Sequence, residues 1–145
     1  MKQAAIVVLL LIASGAYAQE TVVPPEVISV TTIGRWHAGS ISGSYRLIVT
    51  RDGWEHVWSH VSLEWLPDPA SREAGYLPGK AVELIPPLAQ GTAVLEASAR
   101  QGKSGELSIT VVATSNMSVR ARPRRFVYLA KGPGIVNLIG SAPRK

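Results

Sequence analysis

The chain has 145 residues, with 15 basic and ten acidic side chains, a net charge of +5 and no cysteine. Lack of cysteine excludes disulfides, thiol nucleophiles, cysteine-based zinc sites and a thiol-anchored lipid. The length suits one domain that buries roughly two-thirds of its unfolded surface, so the fold must rest on a packed core alone.

Residues 1–18 read as a secretory signal peptide. Lys2 supplies the positive start, residues 4–13 are uninterruptedly apolar, and Ala16-Tyr17-Ala18 gives an A-x-A cleavage signal. The apolar run is shorter than the about 20 residues that a spanning helix needs. Cleavage after Ala18 leaves a periplasmic or secreted protein without a transmembrane segment. Residues 19–25 then read as an extended tether, because Pro24-Pro25 offers no backbone N–H.

Residues 26–140 read as a single β-rich domain. The β-branched run at 26–34 predicts a strand, 39–44 a small-residue turn and 45–50 a second strand. The period then changes. Trp54, Val57, Trp58 and Val61 stand at i, i+3, i+4 and i+7, and Asp52 with Glu55 resembles a capping box. This predicts an amphipathic helix from about 52 to 63, burying both indoles. Pro67 and Pro69 end it, and residues 67–79 read as a long loop. Strands are predicted at 80–87, 92–100, 106–115, 118–122, 126–131 and 135–140, with a hairpin turn at 101–105 and a frayed tail at 141–145. The expected fold class is α+β: an antiparallel sheet of roughly eight strands with one amphipathic helix packed on it.

Charge is unevenly placed. Residues 19–96 carry five basic and nine acidic side chains, whereas residues 97–145 carry nine basic ones and the single acid Glu106. Either the two halves interleave and their charges pair, or the second half presents a one-sided positive potential that steers anions. The densest cluster is Arg120, Arg122, Arg124 and Arg125, whose forked donors suit carboxylates, phosphates or sulfates. Trp36, between Arg35 and His37 beside a glycine turn, is the candidate stacking platform, with Trp65 a second aromatic of the same kind. Export makes nucleic acid an unfitting ligand.

Catalytic motifs fail on inspection. Gly102-Lys103-Ser104 ends like a phosphate-binding loop, but Ala97 occupies the place of its first glycine. Lys103-Ser104-Gly105 matches one element of the serine β-lactamases, yet no serine stands three residues before any lysine. His56 and His60, with Glu64 beyond them, share a face of the predicted helix and make a candidate metal site, but Val57 replaces the glutamate of the zincin pattern. No cofactor is expected.

Two segments, residues 51–61 and 94–112, resemble the C-terminal domain of the PrcB-like family of exported bacterial protease-complex subunits. Trp54 and Trp58 match its helix, and Ser104-Gly105 matches its hairpin. Glu106 replaces the second glycine of that hairpin, and Leu107 its aromatic. The resemblance implies a non-enzymatic module that associates with or stabilises an envelope protein partner. Three readings follow. The first is that interaction module, working through the 102–105 turn with Lys103 and Ser104, the arginine cluster and the 67–79 loop. The second is a binder of an anionic or glycan polymer using Arg120, Arg122 and Trp36. The third is a metal-dependent enzyme using His56 and His60.

Overall fold

The computed structural model describes residues 26–53, 58–73, 82–84, 91–118 and 120–144. They form β1 (Val27–Ala38), β2 (Ile41–Asp52), β3 (Trp58–Pro67), α1 (Pro69–Glu73), β4 (Val82–Glu83), β5 (Thr92–Gln101), β6 (Leu107–Ser115), β7 (Arg124–Gly132) and β8 (Ile135–Pro143). The predicted leader and tether lie outside the described residues. No helix among the described residues is long and apolar enough to cross a membrane.

The strands build two antiparallel four-stranded sheets, each running in chain order: β1-β2-β3-β4 and β5-β6-β7-β8. The β-rich antiparallel expectation is met, but a single eight-stranded sheet is not formed. Each half of the chain closes its own meander through short turns such as Gly39-Ser40 and Pro133-Gly134. The second sheet then meets the first mainly where β1 crosses β5 and β7 and β3 crosses β5.

Alternation fixes which face is buried, since successive side chains point to opposite sides of a strand. Tyr45, Leu47 and Val49 of β2 and Val61, Leu63 and Trp65 of β3 face inward from the first sheet. Leu107, Ile109, Val111 and Ala113 of β6 and Phe126, Tyr128 and Ala130 of β7 answer from the second, closing one continuous core. Tyr45 and Trp65 are cross-strand partners with rings edge to face, centroids 6.2 Å apart.

The predicted helix over 52–63 is not present. Residues 58–67 are β3, and its periodicity is two: Val61, Leu63 and Trp65 are buried while His60, Ser62 and Glu64 face out. A helix would spread 61, 63 and 65 around its circumference, so only a strand can bury all three. Trp58 is consequently an outer-face residue, 45% exposed, and the burial expected of it is overturned. Trp54 and His56 lie outside the described residues.

Smaller corrections follow from the same accounting. Residues 69–73 of the predicted loop are a short helix, entered through Asp68-Pro69, a capping residue followed by the residue best tolerated in a first turn. The stretch from Ser118 to Pro123 is turn and irregular chain where it is described, not a strand. Residues 141–143 of the predicted tail pair with β7 as part of β8.

Trp36 is core, 1% exposed, with its indole N–H donating to the Ser44 carbonyl at 3.0 Å. It lies against its cross-strand partner Gly43, where a Cβ would come within 2.7 Å of the indole and 2.0 Å of the Leu66 carbonyl oxygen. Trp65 is wholly buried. The stacking-platform role drawn for these two residues is therefore overturned: Gly43 makes room for the Trp36 ring rather than for a rim.

Candidate functional site: a cationic groove on the second sheet

The β5–β6 hairpin sets the site. Gly102-Lys103-Ser104-Gly105 forms a tight turn closed by the Gly105 N–H on the Gly102 carbonyl (3.3 Å), and the Gly102 N–H donates to Glu106 O at 2.8 Å. Gly105 has φ +87°, a left-handed conformation that L residues avoid, following the pattern of a turn with a glycine bulge. The turn lifts Lys103 and Ser104 off the end of the sheet. The Ser104 hydroxyl donates a short hydrogen bond to the Glu106 carboxylate. That bond, then the Glu106 backbone N–H, and at longer range Lys131, hold the Glu106 carboxyl below the usual glutamate range.

Below the turn, the outer face of the sheet reads directly from the register. One row runs Arg100, Ser108, Leu129, Asn137; the next runs Ser98, Thr110, Val127, Gly140; the third runs Glu96, Val112, Arg125, Ala142. Two adjoining concavities of about 660 Å³ and 440 Å³ cover the first two rows and share Glu106 and Leu129. Arg100 and Lys103 line the larger and Lys131 the smaller, with Ser98, Ser108 and Thr110 as hydroxyl donors. Among the described residues, none of these three cations has a carboxylate within ion-pair distance. At the other end of the face, Arg125 and Arg144 border a smaller hollow, and Arg144 pairs with Glu96 at 3.5 Å. Rows one and three are four residues apart, about 13 Å.

Of the predicted site residues, Lys103 and Ser104 belong to this groove. The arginine cluster is not gathered on one face of the sheet. Arg124 and Arg125 are successive residues of β7 and so point to opposite faces: Arg125 faces outward, while Arg124 sits 5.8 Å from the ring of inward-facing Phe126 and donates to Ser141 at 3.2 Å. Arg120 and Arg122 are exposed in the preceding turn. Arg100 and Lys131 were missed because neither sits in a charge cluster. Their shared face emerges only once β5, β6 and β7 are aligned, and the alternation of Ser98-Ala99-Arg100 was the available signal.

The candidate metal pair His56 and His60 is described only in part, because His56 lies outside the described residues. With β3 a strand, His60 and Glu64 are about 13 Å apart and cannot share one ion. Glu64 is held by its cross-strand partner Arg46, and the two nitrogens of His60 face Glu83 (2.6 Å) and Asp52 (3.3 Å). Among the described residues, no group of three or more His, Cys, Asp or Glu is placed to hold a metal.

One further contact ties the groove to the first sheet. The Gln101 amide brackets the β1 bulge, accepting from the Arg35 N–H at 3.0 Å and donating to the Arg35 carbonyl at 2.5 Å, while also reaching Gly105 O at 3.2 Å. The same bulge leads to a polar cluster in which Arg35 and the Ser42 hydroxyl (2.7 Å) both bind the Asp68 carboxylate. The Ser42 bond first, with the Arg35 and His37 charges behind it, holds Asp68 below the ordinary aspartate range.

Of the two segments that carry the PrcB-like resemblance, residues 94–112 do form a hairpin, whereas residues 58–61 of the other begin a strand. No family model, no curated protein and no solved structure matches the chain.

Proposed function

We propose that this is a non-enzymatic binding module of the bacterial periplasm or cell exterior that takes an anionic polymer along the outer face of its second sheet. The observation that carries the reading is the trio Arg100, Lys103 and Lys131, with no ion pair among the described residues, around a hydroxyl-lined groove whose lining holds the single acid Glu106. Arg125 and Arg144, about 13 Å further along the same face, favour an extended ligand over a single ion. The groove's hydroxyls support binding rather than catalysis. Its lining holds no histidine, and Ser104 is bonded to a carboxylate whose lowered pKa makes it a poor base. The leader at residues 1–18 supports export, which makes cell-surface polymers the available anions.

The test is retention on heparin-type resin eluted by salt. The triple variant Arg100→Gln/Lys103→Gln/Lys131→Gln should elute near the void. Arg51→Gln/Arg120→Gln/Arg122→Gln, which removes the same charge elsewhere, should elute close to the parent. Equal losses in the two variants would mean that net charge alone acts, and the proposed groove would be discarded.

A further inference from the structure

A second surface, independent of the groove, is the free edge of the second sheet. The other edge strand, β5, is covered by β1 and β3 and pinned by Gln101. β8 packs chiefly on β7 and presents its far edge to solvent. Nine residues long, it shows Ile135, Leu138 and Ile139 at 56%, 46% and 59% exposure. Natural edges are blunted by charged side chains, prolines or bulges. Here no charge occurs between Lys131 and Arg144 and no proline between Pro133 and Pro143. The devices present are the register shift at Ile139, which divides the edge into 135–138 and 140–143, and Pro143 at the strand's last position. On the inner face, Leu138 stands opposite buried Tyr128 yet is half open, so the core has an uncovered margin there.

Charge decides what fits this edge. No Asp or Glu follows Glu106, whereas Arg120, Arg122, Arg124, Arg125, Lys131, Arg144 and Lys145 all do. Two β8 strands paired antiparallel about Leu138 would set Arg144 of one copy beside Gly132 of the other, next to Lys131, so that cations gather at both ends of the pair. An extended segment with alternating apolar residues and acidic flanks meets the same edge with complementary charge at both ends. We infer that β8 is a strand-addition site for an acidic-flanked, extended segment of a partner protein: its backbone completes the ladder and its inward apolar side chains close the core margin over Leu138.

The probe is a synthetic peptide with an alternating valine–threonine centre and three glutamates at each end. It is compared with a lysine-flanked version and with one carrying a central proline. The readout is hydrogen exchange of the β8 amides, because augmentation protects outward-facing N–H groups. At ten times its Kd the acidic peptide should slow exchange in 135–143 about tenfold, and neither control should do so. Leu138→Lys supplies the decisive variant. It adds a cation, which would strengthen mere charge attraction, yet it places a charge on the inward side of the edge and should abolish protection. The groove triple variant should leave protection intact, so failure here and failure of the polymer reading are separable. Protection centred on 98–110, protection undiminished in Leu138→Lys, or equal protection by the lysine-flanked peptide would each overturn the inference. So would concentration-dependent dimerisation of the protein alone with β8 protected, which would make a second copy the occupant.

Discussion

The two sheets share a topology and a core but treat their outer faces differently. On the first sheet, Arg46 is answered by Glu64 and nearby Arg35 by Asp68, and the His60 ring sits between Asp52 and Glu83, leaving Arg51 as the cation of that sheet with no described carboxylate within ion-pair distance. On the second sheet, the one ion pair among the described residues is Arg144–Glu96, while Arg100, Lys103, Arg125 and Lys131 face solvent with no described carboxylate within ion-pair distance. The charge asymmetry of the sequence therefore survives folding. Because each half of the chain closes its own sheet, the described acids of the first half, apart from Glu96 in β5, are not interleaved with the cations of the second. Exposed ion pairs contribute little to stability, so the difference bears on what each face attracts rather than on how firmly each sheet holds.

If core and face are separable in this way, the largest effects on folding should be alike in the two sheets. Trp65→Ala in the first and Phe126→Ala in the second each remove a buried aromatic and should cost about 3–5 kcal/mol in denaturant unfolding. A loss confined to one of them would show two cores rather than one. The opposite sign is expected at Tyr128, whose buried hydroxyl has no hydrogen-bond partner among the described residues. Tyr128→Phe removes an unsatisfied polar atom and leaves the ring, so stability should be unchanged or rise by about 1 kcal/mol.

The contact between the sheets should show an intermediate effect. Gly34 has φ +53°, and a Cβ there would fall 2.4 Å from the Gln101 amide oxygen. Gly34→Ala meets both obstacles and should cost about 1–2 kcal/mol for the left-handed backbone alone, plus loss of the Gln101 bracket. Gly105→Ala meets open space at φ +87° and should show the conformational cost only. If the two cost the same, Gln101 does not contribute to joining the sheets.

Much of this was legible in the sequence, and the parts that were not share a cause. The thiol-free β-rich chain, the β5–β6 hairpin and strands β2 and β6 follow from β-branched runs between glycine turns, which are local signals. The error over 52–63 arose because Trp54, Val57, Trp58 and Val61 fit a 3.6 period, while Val57, Val61, Leu63 and Trp65 fit a period of two over a longer span. Packing of Leu63 and Trp65 against the second sheet decides between them, and that is tertiary information. The site was half visible for the same reason. Lys103 and Ser104 sit in a recognisable turn, but Arg100 and Lys131 are 31 residues apart and meet only across the register of β5, β6 and β7. The clustered arginines misled because adjacency in a strand means opposite faces.

The smallest expected effect compares two serine–carboxylate pairs, one beside each sheet. Ser42 binds Asp68, with Arg35 adding charge, and Ser104 binds Glu106, with Lys131 at longer range. Both carboxyls are held below their ordinary values, so each contributes stability that is present above the unfolded-state value and lost as pH falls through the lowered one. Tyr45 and Tyr128 carry the opposite sign. Burial raises both phenols, with the Glu106 charge adding to the shift at Tyr45. Their contribution is present below the ordinary phenol value and lost as pH rises through the raised one. Stability should thus be flat near neutrality and fall at both extremes. Ser42→Ala and Ser104→Ala should each move the acid limb to higher pH, with Asp68 keeping part of its shift through Arg35. Only the Glu106 pair should also affect binding. Protonating Glu106 removes the one anion of the groove, so retention on anionic resin should strengthen as pH falls through its lowered value. Ser104→Ala should bring that strengthening to a higher pH, whereas Ser42→Ala should leave it in place. A Ser42→Ala variant that shifted the binding curve equally would show that the two faces are electrostatically coupled, against the separation argued from their ion pairs.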